Sequence, residues 1–136
     1  MVIFWILFGL LFIGLGRFIE RNPNSLSGYN TMKSDKKDKV DIVPMVKLIK
    51  KFMFAIGGAV IIGALLGFLL CIKLELVSFF LIEVIIVGMA IAIFAIQRYD
   101  HNEYSWVQKC LGIIIMIGFI VIVTLAMWNS LNIQLY

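Results

Sequence analysis

Apolar residues run almost unbroken through four stretches, 2–19, 52–72, 76–96 and 107–128, and polar residues gather between them. At 1.5 Å per helical residue, each stretch is about long enough to cross a hydrocarbon layer of ~30 Å. A backbone N–H or C=O finds no water in lipid, so each stretch must pair its own backbone as a helix. The pattern predicts an all-α, polytopic membrane protein. Its single membrane domain, 1–136, would hold four transmembrane helices in a compact bundle and one long cytoplasmic loop, 20–51.

The polar segments set the expected orientation. Nine of the 12 basic residues lie between Arg17 and Lys51. Lys and Arg concentrate on the cytoplasmic side of spans, where they face anionic lipid. With the 20–51 loop inside, the 97–106 loop is also inside, and the 73–75 turn and both termini are outside. Lys73 is then the one basic residue outside. Trp106 and Trp128 bracket the fourth span about 33 Å apart, as interfacial belt residues do, and Trp5 is expected in the outer belt. The 73–75 turn is too short to cross anything, so spans two and three form an antiparallel hairpin. The first span has no basic segment before it and no small-residue cleavage site after it, which reads as a retained helix with Arg17 snorkelling from its last turn.

Composition narrows the function classes. Of 136 residues 62% are hydrophobic and 15% charged, which leaves no room for a separate soluble domain. The net charge of +4 sits beside spans, so it argues for a lipid surface and against nucleic acid. Cys71 and Cys110 fall at opposite membrane faces and cannot pair within one chain. Nothing resembles a phosphate-binding glycine loop, a zinc-protease helix or a nucleophile elbow, so the chain reads as non-enzymatic and without a cofactor. Asp100, His101 and Glu103 carry ligand-type side chains in one loop, but a closed zinc site takes four ligands, and no metal is expected.

Within the long loop, the run from Lys33 to Lys39 reads as a solvated face. From Asp41 on, Ile42, Met45, Val46 and Ile49 recur at helical spacing, with Lys47, Lys50 and Lys51 opposite them. Pro44 fits a first helical turn. Either an amphipathic helix lies on the inner leaflet here, or span two starts early.

Three features inside or beside the spans are candidates for function. Ala55, Ala59, Gly63, Gly67 and then Cys71 repeat at every fourth position, a stripe that permits close helix approach. Its partner is span three, through Gly88 and Ala92, or a second copy or another protein. Gly9, Gly14 and Gly16 in span one are read as packing glycines. Glu83 is the one acidic residue deep in a span, roughly 10 Å from the outer end. A carboxylate there costs a few kcal/mol unless protonated, paired or wet. Thr124 and Ser78 are the polar groups nearest its depth. Glu83 either locks helices together through such a hydrogen bond or serves a proton or cation relay.

The third feature is the segment 24–32, Asn-Ser-Leu-Ser-Gly-Tyr-Asn-Thr-Met, directly after span one. It resembles an uncharacterised family of small bacterial membrane proteins, domain of unknown function 3784, whose members carry Gly-Tyr-Asn-Thr-Met after the first span. Gly28, Tyr29, Asn30, Thr31 and Met32 match in full. The charged run 35–41 and the entry into span two at 50–57 are also similar, so the resemblance covers roughly 1–100. The segment is similar as well to the Asn-x-x-x-Gly-(Tyr/Ile)-Arg-Thr signature of immunity proteins of the sporulation-delay toxin system. Asn24, Gly28, Tyr29 and Thr31 fit, and Asn30 replaces the Arg. Physically, Gly28 allows a positive φ and Asn24 or Asn30 can close an Asx turn. The segment is either an ordered turn beneath the helices or a partner-recognition loop.

Together these features imply a non-enzymatic interaction, immunity or signalling factor. Its partners would be the lipid bilayer and a protein or second copy through span two, in the bacterial cytoplasmic (inner) membrane. A small transporter or channel component built on Glu83, or an accessory subunit of a larger complex, are the alternatives.

Overall fold

The computed structural model describes residues 2–26, 29–103 and 106–133. They are helical: α1 Val2–Arg21, the short α2 Ser34–Lys37, α3 Ile42–Leu69, α4 Leu74–Ile96 and α5 Trp106–Ile133. There is no strand among the described residues. Among them, α1, α3 and α4 with the turn that follows it are long and apolar enough to cross a membrane. Large apolar side chains stand exposed around these helices, among them Ile3, Leu7 and Phe18 on α1, Phe68 on α3 and Phe80 on α4. In water such a surface would be unstable; this one points to a membrane protein.

α1 ends where Pro23 follows Asn22, since the residue before a proline avoids the α region. Asn22 finishes the last turn, its backbone and side chain both donating to Phe18 O, at 2.9 and 3.2 Å. The segment from Ile42 to Lys51 is the opening of α3 itself, one unbroken 28-residue helix. Of the two readings of this segment, the helix of span two starts early, and no separate leaflet-surface helix forms. Val46 and Ile49 turn inward and are buried, while Lys47 and Lys51 stay exposed.

α3 stops earlier than the apolar run, at Leu69. Ile72 N donates to Gly67 O at 3.0 Å and Cys71 N to Phe68 O at 3.2 Å, the paired bonds of a Schellman cap. The residue in the left-handed position is Cys71, at φ 52°. Glycine usually takes this place, because a Cβ costs roughly 1–2 kcal/mol there.

α3 is the central helix and packs against both α1 and α4. At the core, Val60 and Leu81 are fully buried among Trp5, Phe12, Ile56, Ala64 and Val77. Trp5 is thus a core residue instead of the outer-belt residue expected, because its indole N–H finds a partner inside the protein. Trp106 and Trp128 are exposed. α5 approaches α4 and no other helix among the described residues. α1, α3 and α4 thus pack together around this core, with Trp5 of α1 reaching Ser78 of α4, and α5 lies against α4. Lipid supplies no hydrophobic force to press α5 more closely on the other helices, and Gly118, within α5, meets nothing within 4 Å.

Candidate functional site

One end of the packed helices carries a built polar layer. The backbone pairs Val40 with Asp100 across an isolated bridge: Asp41 N donates to Tyr99 O and His101 N to Lys39 O, both at 2.9 Å. Side chains extend this lock. His101 Nε2 lies 3.1 Å from Asp41 Oδ2, and Asn102 Nδ2 donates to Lys36 O at 3.1 Å and to Asp100 Oδ1 at 2.7 Å. Asn102 is only 9% exposed and Val40 is buried, so the two polar loops meet as a packed contact. Nothing in the sequence singled out Asn102; a buried amide between two polar loops has no local signature. Asp100 and His101 are engaged in this lock, and no group of three or more metal-ligating side chains assembles among the described residues.

The 24–32 segment feeds the same layer. Ser25 Oγ donates to Asn22 O at 2.7 Å, closing the turn Pro23–Ser25. No side-chain bond closes an Asx turn at Asn24 or Asn30 among the described residues, so the turn chemistry falls to Ser25 and the Asn22 carbonyl it bonds. Tyr29 is half-buried, with Lys37 Nζ 5.5 Å from its ring centroid. The same ammonium donates to Asn30 O at 3.1 Å, which ties the signature to α2. Met32 N donates to Tyr29 O at 3.3 Å, and Asn24, Asn30 and Thr31 are exposed. Gly28, with its expected positive φ, lies outside the described residues.

Beneath this layer α1 and α3 are joined by charge. Lys50 Nζ bonds Glu20 Oε2 at 2.7 Å, and Phe54 is flanked by Arg17 and Lys50 at 5.6 and 5.8 Å from its ring centroid. Both members of the ion pair are about a third exposed, so it contributes of order 0.2–1 kcal/mol.

The two polar candidates for Glu83 separate in the structure. Thr124 Oγ1 donates to Glu83 Oε1 at 2.8 Å and also lies 2.9 Å from Ile120 O, linking α4 to α5. Ser78 is instead the acceptor for Trp5 Nε1 at 3.2 Å, linking α4 to α1. Each deep polar group thus has its own neighbour, and the two pairs sit on opposite flanks of α4.

The small-residue stripe is only half used. A Cβ on Gly67 would lie 2.5 Å from Val77 Cγ2, and one on Gly63 2.7 Å from Leu81 Cδ2, so these two glycines admit α4. Gly88 returns the favour to Ile56. Ala55 and Ala59, however, are exposed, and Cys71 lies beyond the helix end. The reason is geometric: each four-residue step rotates about 40° around a helix, so Ala55 and Gly67 differ by roughly 120°. The closest approach lies elsewhere, between Gly9 and Gly57. A Cβ on either would fall 2.7 or 2.5 Å from the other's carbonyl oxygen, so backbone meets backbone. Gly16 packs on Met53, and Gly14 meets nothing.

A family model described as Domain of unknown function (DUF3784) matches residues 2–100. The chain belongs to this family. The DUF3784 region holds α1 through α4 and ends at Asp100, the bridge partner of Val40. It therefore includes the glycine seam, the 24–32 segment and Glu83, whereas Thr124 and the rest of α5 lie beyond it. Comparison with curated proteins and with solved structures gave no match.

Proposed function

We propose that this DUF3784 protein is a four-span protein of the bacterial cytoplasmic membrane that acts by binding another protein, as an immunity or signalling factor against a membrane-active peptide. α5, 28 helical residues long, is the fourth span. The polar layer is cytoplasmic, because it gathers the basic residues of both polar loops; both termini are then outside. The 24–32 segment is the recognition element.

The observation that carries this reading is the polar layer itself. Two loops far apart in sequence are locked by backbone bonds and a buried Asn102, and Tyr29 is pinned by Lys37, which makes a defined surface at the helix ends. A fixed surface lowers the ordering cost of binding a partner. The intramembrane polar groups favour the same side of the choice: among the described residues, Trp5 with Ser78 and Glu83 with Thr124 form separate pairs and no chain of titratable groups such as a relay needs.

The reading predicts a secreted-toxin gene beside the chain's own, and the test is co-expression with the peptide such a gene encodes. Protection of growth that Tyr29→Ala removes without changing the melting temperature supports the reading. Ion flux in liposomes that depends on Glu83 would replace it with transport. Orientation is checked by labelling single cysteines in intact cells with an impermeant thiol reagent. Positions near Lys73 and Gln134 should react and positions near Ser34 and Asn102 should not.

A further inference from the structure

At the end of the helices opposite the polar layer, α1, α3 and α4 leave an open pocket of about 370 Å³ between their termini. Val2 and Trp5 line it from α1, Ala64 and Gly67 from α3, and Leu74 and Val77 from α4. The volume falls within the range of small-ligand sites. The lining is apolar, and its one strong donor, the Trp5 indole N–H, is already bound to Ser78. A polar ligand would find nothing there to replace its lost water.

We propose that the pocket holds the glycerol-proximal part of a phospholipid acyl chain, with the lipid phosphate against Lys73. Three observations support this occupant. The first is depth: Ala64 lies five residues inside the end of α3, so the pocket reaches about 7–8 Å in from the helix termini, where head groups give way to chains. The second is charge. Lys73 is exposed beside the pocket mouth, has no carboxylate partner among the described residues, and is the one basic side chain at this end. Glu75, exposed two residues on, is the acidic neighbour the head group must accommodate. The third is the wall: Gly67 and Ala64 remove bulk where the helices diverge, and Val77 fills only the part of the space against Gly67. This site is independent of the partner-binding layer, and its failure would leave the interaction reading intact.

Trp5 is the built-in reporter. With Trp106→Phe and Trp128→Phe in the full chain, its fluorescence is followed in detergent during titration with phosphatidylglycerol carrying brominated acyl chains. The expected result is quenching that saturates at one lipid per chain, weakened roughly fivefold by Lys73→Gln. Leu74→Phe or Ala64→Leu, each adding bulk at the lining, should reduce the quenching; using both guards against one variant failing to fold. Trp5 emission that ignores the lipid, or quenching that never saturates and survives both lining variants, overturns the site. Equal affinity for brominated diacylglycerol, which has no phosphate, overturns the role of Lys73.

Discussion

The α1–α3 and α4–α5 contacts solve the same problem by opposite means. The first is a backbone seam in which Gly9 and Gly57 face each other, Gly16 receives Met53, and an ion pair and a sandwiched Phe54 close the polar end. The second has a single described hydrogen bond, Thr124 to Glu83, on a helix whose Gly118 meets nothing. In lipid, apolar contact with a neighbouring helix gains little over contact with lipid tails, so only close packing or polar bonds hold helices together. The glycine seam multiplies dispersion contacts along two helices. A lone hydrogen bond fixes register and depth while most of the described α5 side chains stay exposed.

Breaking the seam should have the largest effect. Gly57→Leu places a branched side chain where even a Cβ would lie 2.5 Å from Gly9 O. We expect a loss of about 3 kcal/mol or more, or failure to accumulate, read by thermal unfolding in detergent. Gly67→Leu should cost about 1–3 kcal/mol, since it collides with Val77, a side chain with some room to move. A Gly57→Leu protein that melts like the parent would remove the basis for calling the seam dominant.

The α4–α5 contact should be weaker and separable. Thr124→Val is expected to cost about 0.6–1.5 kcal/mol and to loosen α5 alone. In single-tryptophan variants Trp128 should report the change and Trp5 should not. Glu83→Gln keeps an acceptor of similar size and should preserve folding and any protective activity. If it abolishes function at normal expression, the titrating carboxylate matters and transport becomes the better reading.

Two smaller effects refine the picture. Cys71→Gly relieves the left-handed strain at the hairpin cap and should raise stability by about 0.5–1 kcal/mol. Ala59→Leu should change stability by less than about 0.5 kcal/mol, because Ala59 is exposed within the chain. A large loss of self-association in that variant, with melting unchanged, would show that the exposed half of the stripe, Ala55 and Ala59, serves a second copy.

What composition and periodicity determined was the class of element. Backbone satisfaction in an apolar solvent is a local requirement, so runs of apolar residues were enough to predict helices near 2–19, 52–72 and 76–96, and the 24–32 segment was enough to suggest the family. Local rules also placed Glu83 near Thr124 in depth, because rise per residue is constant along a helix. Tertiary structure alone decided which faces meet. The four-residue stripe in α3 looked like one surface, but helical rotation divided it between α4 and the exterior, and the closest contact went to Gly57, which belongs to no such stripe. Trp5 read as an interfacial ring until Ser78, 73 residues away, supplied its acceptor. Asn102 and Lys36 are joined across 66 residues by a bond neither neighbourhood announces. Such pairings depend on where two separate helices or loops end up relative to each other, and that is set by the sum of packing contacts along the whole seam, not by any one segment.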